Sequence, residues 1–578
     1  MLLFATMVRM PFRRALPWLG LATILIAHAY LIVRIHPENL FGYPQDDTFY
    51  FSSAQALARG NGYILPSVPG TPPSRFPLFF SWILSSVWKW NPSFPANLVN
   101  ACEVEIGFGC AFTIATFVFL RRLSKLGNVE SLVLTAFCAL HPVVLSTASF
   151  LFSDIPFAAI ALAALIVANG AMRRESGGTS AGLVGVLAGC SAIMRVVGVA
   201  IVAGIFMSAI FRKAWRQAIV FSAFATPFLV WLAWHTMLSK SAIPPVPLTS
   251  FGLGWRHTWL AYTNYVAFRK LSMVNPHVAS TMFYSQAIYL LVKLPSYFIS
   301  PIFDANAAIG LPSVLLVLWG VVDGLARHIK QSEWQPIHFA FLFFLAVTVS
   351  WSYPQIDRFL LLFLPLLALG LWLEGKQIAR WVISVVGGSH PIGEKTVAVI
   401  LGALTAVFVL GIVTNFMYAG RGDTEKLSKE RGTLLLEKME AYDWIRKNAP
   451  RDARVIAVED VCVYLYADRQ AMEPIEFSPA RFYDPEVLRD DLDHLTDVAK
   501  AIGAEYWVAS TDDTGRGGPG TRPQIEARLE QIDRVLPELF RSSGGHVKIY
   551  GTTCILHPEN LFCTAADLVL FPTAGSSH

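Results

Sequence analysis

The sequence predicts a mostly α, polytopic membrane helical bundle of about eleven transmembrane helices, followed by a small C-terminal extracytoplasmic α/β domain. Three observations carry that prediction. Hydrophobic residues make up 54% of the 578-residue chain and charged residues only 15%, whereas a soluble globular chain carries about 25% charged residues. Apolar runs near or above about 18 residues recur. Basic clusters separate these runs so that an alternating path puts them all on one side of a membrane. The net charge of +5 is modest and is absorbed by these clusters, so it calls for no nucleic-acid partner.

Arg9, Arg13 and Arg14 precede the apolar run from about Leu16 to Val33. That run is too long for a signal-peptide core and no small-residue cleavage site follows it. It therefore reads as a retained first helix with its N-terminus in the cytoplasm. Residues 36–95 form a long first outer loop. Inside it, Tyr50 to Leu57 has helical spacing, with Gly60 and Gly62 as a stop, which predicts a short helix along the membrane surface. A proline-dense turn (Pro66, Pro69, Pro72, Pro73) leads to Arg75-Phe76-Pro77 and an apolar segment ending near Trp90. This segment is short for a span and reads as re-entrant or interfacial.

Further spans are predicted near 98–120, 131–150, 154–172, 181–195, 197–211, 217–238, 308–326, 336–352, 357–374 and 396–418. The pair within 181–211 is a short hairpin around Arg195. The alternation places Arg121-Arg122-Lys125, Arg173-Arg174, Arg212-Lys213-Arg216, Arg327-His328-Lys330 and Lys376-Arg380 inside. An odd number of spans leaves the C-terminus outside. Lys240 to about Pro301 is a second outer segment, rich in Trp, Tyr and Pro, and its amphipathic part Ser285 to Phe303 suits the interface. Residues 1–420 thus form the membrane domain. In 421–578 a helix over 434–448, strands at 454–458, 505–509 and 547–550, and helices near 485–503 and 524–540 predict the α/β domain.

The seven cysteines show no metal-ligand spacing. If the tail is extracytoplasmic, Cys462, Cys554 and Cys563 allow one disulfide and leave one thiol over. His36-Pro37-Glu38-Asn39-Leu40-Phe41 recurs as His557-Pro558-Glu559-Asn560-Leu561-Phe562, too short for a structural repeat and without a physical explanation.

Asp46 and Asp47 sit at the outer end of the first helix. Such a pair can act as general base, hold Mg²⁺ or Mn²⁺ beside a phosphate, or simply be solvated in a loop. Asp154, in Phe152-Ser153-Asp154-Ile155-Pro156, lies at an outer span junction, where an acid is either functional or a helix cap. Arg195, in Met194-Arg195-Val196-Val197-Gly198, is flanked by apolar residues and wants an anion, or else snorkels. Arg358 opens the tenth span, to bind phosphate or to pair with Asp357. Arg256, His257 and His235 are weaker outer candidates, and His141 before Pro142 reads as a packing residue. No Walker loop, Rossmann fingerprint, nucleophile elbow or zinc spacing appears, which argues against an ATP-driven pump and against a soluble nucleotide-sugar enzyme. The outer acids and arginines together suggest a site that handles a lipid phosphate.

In order and topology these segments resemble the GT-C superfamily of polyprenyl-phosphate-sugar-dependent glycosyltransferases, in its protein O-mannosyltransferase and aminoarabinose transferase branch. The likeness rests on the Asp46-Asp47 loop, Pro72-Pro73-Ser74-Arg75-Phe76-Pro77, the Asp154 and Arg195 motifs and Asp357-Arg358-Phe359, across about residues 1–420. The resemblance implies inverting transfer of a sugar to a lipid, glycan or protein acceptor on the extracytoplasmic face. It implies Asp46 as general base, Asp154 as the second acid, and Arg195 and Arg358 near the donor phosphate. Asp47 stands where many relatives carry Glu. Arg75, Arg256 and His257 are expected acceptor or sugar contacts. A divalent cation on Asp46 and Asp47 is left open as a cofactor, and the location implied is a bacterial plasma membrane. The competing classes are a transporter or flippase of lipid-linked glycans, which calls for inverted repeats and midplane acids, and an inactive relative acting as a binding module.

Overall fold

The computed structural model describes residues 12–35, 41–42, 45–173, 175–299, 311–353, 357–386, 403, 405–411, 414, 423–513 and 521–556. Both copies of the repeated hexapeptide fall outside these residues except for Phe41. The eleventh expected span, 396–418, falls largely outside them as well.

Helix α1 (Phe12–Ile35) enters the bundle, and the outer loop that follows folds into α2 (Asp46–Ala58) and α3 (Leu78–Trp90). α2 is buried along most of its length, so it is a structural wall and not a helix lying loose on the membrane. Then come α4 (Leu98–Val118), α5 (Asn128–Ala139) and α6 (Pro142–Ala148). The span expected over 131–150 is broken here, with α5 and α6 meeting at a 54° bend. The cause is local. Pro142 lacks the N–H that would continue α5, and the His141 ring Nδ1 caps α6 by accepting from Val143 N at 3.2 Å.

α7 (Asp154–Ala171), α8 (Gly178–Met194), α9 (Val199–Phe211) and α10 (Trp215–Ser241) follow. α8 and α10 approach closely because Gly182, Gly185 and Gly189 form a smooth strip along one helix face. A Cβ on Gly185 would stand 2.5 Å from the Phe221 carbonyl oxygen, and one on Gly189 would run into the Phe228 ring. The outer segment then supplies α11 (Leu253–Thr263), α12 (Tyr265–Lys270) and α13 (Pro276–Ile299). The bundle is completed by α14 (Leu311–Ser332), α15 (Pro336–Val349) and α16 (Leu364–Val386), the last preceded by a 3₁₀ stretch at Asp357–Phe363.

Among the described residues five helices are long and apolar enough to cross a membrane, or six if the bent pair counts as one, and α8, α9 and α15 are shorter apolar helices. Hydrogen bonds sort their ends. Arg212 donates to the Asn169 and Trp334 carbonyls, both at 3.1 Å, while Lys376 pairs with Glu130 and Arg327 with Glu374, each at 2.7 Å. Asp154 stands at the opposite end of α7, ~27 Å away for 18 helical residues. Arg212 and Asp154 therefore occupy opposite ends of α7. Arg195 lies at the tip where α8 turns back into α9.

The tail opens with α17 (Asp423–Asn448), then β1 (Arg454–Ala457), α18 (Asp460–Ala467), β2 (Gln470–Met472), α19 (Pro485–Asp493) and α20 (Asp497–Ile502). It continues with β3 (Tyr506–Ser510), α21 (Arg522–Val535), β4 (Glu538–Arg541) and β5 (Val547–Gly551). The sheet order is β2-β1-β3-β5-β4. β1 is parallel to both β2 and β3, and β5 is antiparallel to both β3 and β4. The three expected strands are present. The helix expected over 524–540 stops at Val535 and gives way to β4, and β2 is too short to signal itself by alternation.

The tail does not stand apart from the rest. Trp255, Trp259 and Tyr262 of α11 share one core with Ile456, Met472 and Trp507. Gly252 N donates to Asp497 at 2.7 Å, and His257 pairs with Asp491 at 2.7 Å. A division at residue 420 therefore separates α11 from the core it completes. Cys554 is disulfide-bonded and Cys462 is a buried free thiol.

Candidate active site

Between the outer end of the bundle and the tail lies a cavity of about 270 Å³. Three carboxylates (Asp46, Asp154, Glu476) and four guanidinium groups (Arg75, Arg195, Arg269, Arg358) meet in and behind it. Asp46 stands in the first turn of α2, 21% exposed, with Oδ2 2.8 Å from Arg358. Asp154 opens α7 and is 3% exposed. Its Oδ2 lies 2.5 Å from Arg195 and 3.7 Å from Arg358. Arg358 thus bridges the two acids. Ser153 links the same group to α2: its Oγ meets the Tyr50 hydroxyl at 2.7 Å and accepts from Arg195 at 3.3 Å. Phe152 and Phe359 lie beneath the Arg358 and Arg195 guanidinium planes.

Asp46 and Asp47 part company. Asp47 is fully buried, accepting from Gly42 N at 3.0 Å and Thr48 N at 2.8 Å. Burial pushes its carboxyl up to about 7 against those two hydrogen bonds, with Asp46 and Glu459 adding to the rise. Consecutive helical residues point ~100° apart, so only one of the pair faces the cavity. A divalent cation on both is therefore not what the geometry offers. Among the described residues no three His, Cys, Asp or Glu side chains gather as a metal site. The two bundle acids of the cavity are already set against arginines, a donor set that does not fit a divalent cation.

Arg75 emerges from the proline turn, which is pinned at both ends. Ser74 O bonds the His235 ring at 2.8 Å, and the Tyr63 hydroxyl donates to Phe76 O at 2.8 Å. The Arg75 guanidinium packs over Phe49, 4.4 Å from its ring centre, and lies 3.8 Å from Glu476. Burial works against its charge, yet Glu476 and its other neighbours hold it above its ordinary value.

Arg256 and His257 do not join this group. Arg256 is exposed on α11, and His257 is spent on Asp491 in the tail interface. In their place the cavity holds Arg269, which the sequence reading passes over. Its guanidinium is held between Trp351, 3.2 Å to the ring centre, and Tyr265, 3.8 Å. It has no carboxylate partner within ion-pair distance among the described residues, and its Nε is buried without an acceptor. Burial pulls it below its ordinary value. An anion entering the cavity would relieve that. The strip carrying Trp351 and Tyr353 is anchored by Gln286, which donates to both carbonyls at 3.0 and 2.6 Å. Glu476, from the tail, was also missed. The aromatic density of the outer segment was the one available signal for Arg269, and nothing local marks Glu476.

By sequence, no family model and no curated protein matches the chain. By structure it is similar to ArnT from Cupriavidus metallidurans bound to undecaprenyl phosphate, with a TM-score of 0.50 at 11% identity, covering 92% of this chain and 97% of that one. It is also similar to the oligosaccharyltransferase AglB from Archaeoglobus fulgidus in complex with an inhibitory peptide and a dolichol-phosphate, with a TM-score of 0.48 at 11% identity, covering 92% and 74%. The helical bundle with its C-terminal five-stranded domain thus shares its fold with ArnT.

Proposed function

We propose that the protein is a membrane glycosyltransferase that moves a sugar from a polyprenyl-phosphate donor to an acceptor hydroxyl on the extracytoplasmic face, with inversion. The observation that carries this reading is the cavity's charge pattern. Four guanidinium groups gather with Asp46 and Glu476 in the cavity and Asp154 behind it, and among the described residues Arg269 has no carboxylate within ion-pair distance. A phosphate monoanion or diester completes such a site, and the ArnT structure of like fold is one bound to undecaprenyl phosphate.

In the reaction Asp46, the bundle acid that reaches the cavity, takes the proton of the acceptor hydroxyl. The freed oxygen attacks the anomeric carbon from the face opposite the phosphate. The carbon–oxygen bond to the phosphate breaks, and the polyprenyl phosphate leaves with the bonding electrons. Its developing charge is met by Arg195, Arg269 and Arg358. Asp154 stays behind Arg195 and Arg358, fixing the direction in which their N–H groups point before the donor arrives. Arg75 and Glu476 line the far side, where sugar or acceptor hydroxyls would be bound. The tail, through Glu476, and the segment from Thr263 to Arg269 close the cavity on the side taken as extracytoplasmic, in a bacterial plasma membrane, and the basic helix ends lie in the cytoplasm.

The test is an in vitro transfer assay in nanodiscs with a panel of polyprenyl-phosphate sugars, read by mass spectrometry of the acceptor. Transfer from one member with release of polyprenyl phosphate is expected. Failure with every donor, together with lack of polyprenyl-phosphate binding, would remove the reading.

A further inference from the structure

The tail also reaches the start of α2, next to the cavity's accessible acid, through the side chain of Gln45. Gln45 directly precedes Asp46 and caps α2 with φ 58° and ψ −35°, a positive-φ conformation outside the left-handed helical well that a residue bearing a Cβ keeps only when its surroundings hold it. Its side chain is 4% exposed. The amide Nε2 donates to the Val458 carbonyl oxygen and to Oε1 of Glu473. Val458 follows β1 and Glu473 follows β2, so both acceptors stand at the carboxyl ends of paired parallel strands.

Glu473 is itself tied down, its backbone N–H donating to the Tyr262 hydroxyl at 3.2 Å while that hydroxyl donates to Asp460. On the other side, the Gln45 carbonyl accepts from Thr48 N at 3.0 Å and Thr48 Oγ at 2.7 Å, setting the first turn of α2. An unbroken series of contacts thus runs from the outer sheet, through Gln45, to the residue next to Asp46.

We propose that Gln45 is a positioning residue, by which the C-terminal domain holds the rotation of the first turn of α2. Because neighbours on a helix point ~100° apart, a modest turn about the α2 axis would withdraw Asp46 from the cavity and carry Asp47 toward it. The amide clamp opposes that turn at the N-terminal end of α2, while Phe49 in the shared core and the Tyr50–Ser153 bond hold the turn that follows. The outer domain is thereby part of the machinery that sets turnover, through geometry and not through contact with the reacting atoms. The inference rests on the reading of Asp46 as general base.

Gln45→Asn tests it in the full-length protein. Asparagine tolerates a positive φ better than glutamine but is one methylene too short to reach Glu473. The expected result is kcat reduced about 10- to 100-fold, with the KM for the lipid donor and the unfolding temperature unchanged. Glu473→Gln, which keeps an acceptor for the amide, should behave as wild type, and Glu473→Ala should lose part of kcat. If Gln45→Asn does not fold, Glu473→Ala carries the test alone, and wild-type kcat there overturns the proposal. Wild-type kcat in Gln45→Asn overturns it, as does an equal loss in Glu473→Gln. Asp46→Asn run alongside separates the two claims. If it is active, the base assignment fails. If it is inactive while Gln45→Asn is fully active, only the clamp fails.

Discussion

Arg269→Ala probes the phosphate site at a cavity guanidinium that has no carboxylate partner among the described residues. The side chain is held flat between Trp351 and Tyr265, so its direction is set before any ligand arrives. At ~4 Å from a phosphate oxygen, with an effective dielectric of ~20, unit charges attract by ~4 kcal/mol. A hydrogen bond to a charged group measured by deletion is worth ~1.5–3 kcal/mol. A loss of ~2–4 kcal/mol corresponds to roughly 30- to 700-fold in donor KM or in the affinity for polyprenyl phosphate. Arg269→Lys keeps the charge but loses the stacked plane and the fork of donors, and should fall in between. Initial rates against donor concentration, with direct binding of polyprenyl phosphate, read the effect. Arg256→Ala serves as control, because that arginine is exposed and outside the cavity. Unchanged KM, kcat and lipid affinity in Arg269→Ala would refute the assignment.

Asp154→Ala should be the most destabilising of the site variants, by ~3–5 kcal/mol in chemical or thermal unfolding, because it leaves Arg195 without its buried counter-charge while Arg358 keeps only Asp46. A variant as stable as wild type would show that the pair is solvated. Asp47 and Asp513 should each give stability a negative slope with pH. Burial holds both carboxyls at about 7 in the fold, against 3.8 as the ordinary value. The folded state therefore binds these protons more tightly, and stability is fully present below about pH 4 and lost as pH rises through 7. Asp47→Asn also sacrifices one of two accepted backbone hydrogen bonds, so the slope between pH 5 and 8 is the readout. A slope as steep as wild type in Asp47→Asn would contradict the assignment for that residue.

Much of the architecture was legible because a bilayer imposes strong patterns. Apolar span length and the Arg212 cluster marked the two ends of α7, and the bond from Arg212 to Asn169 sets that arginine at the end away from Asp154. Asp46, Asp154, Arg195 and Arg358 were each named from local context, and the fold links them in series, Asp46 to Arg358, Arg358 to Asp154 and Asp154 to Arg195. What local context does not contain is direction. Asp46 and Asp47 are adjacent in sequence, yet one faces the cavity and the other is buried among backbone donors, an outcome set by the register of α2. Arg269 and Glu476 come from segments whose relevance arises only through packing. The break between α5 and α6 was readable in hindsight from His141-Pro142, but apolarity over 131–150 outweighed it. α11 lies before residue 420 and still completes the tail's core, because burial of Trp255 and Trp259 follows space and not chain order.

The central claim is that Asp46 is the base of a sugar transfer supported by arginines, and Asp46→Asn tests it most directly. The substitution keeps the shape of the side chain and a hydrogen-bonding oxygen for Arg358 but removes the capacity to take a proton. Measured in nanodiscs with a productive donor, transfer is predicted to fall by ~10²–10⁴-fold, while polyprenyl-phosphate binding and the unfolding temperature stay near wild type. An Asp46→Asn protein that transfers sugar at the wild-type rate would contradict the account.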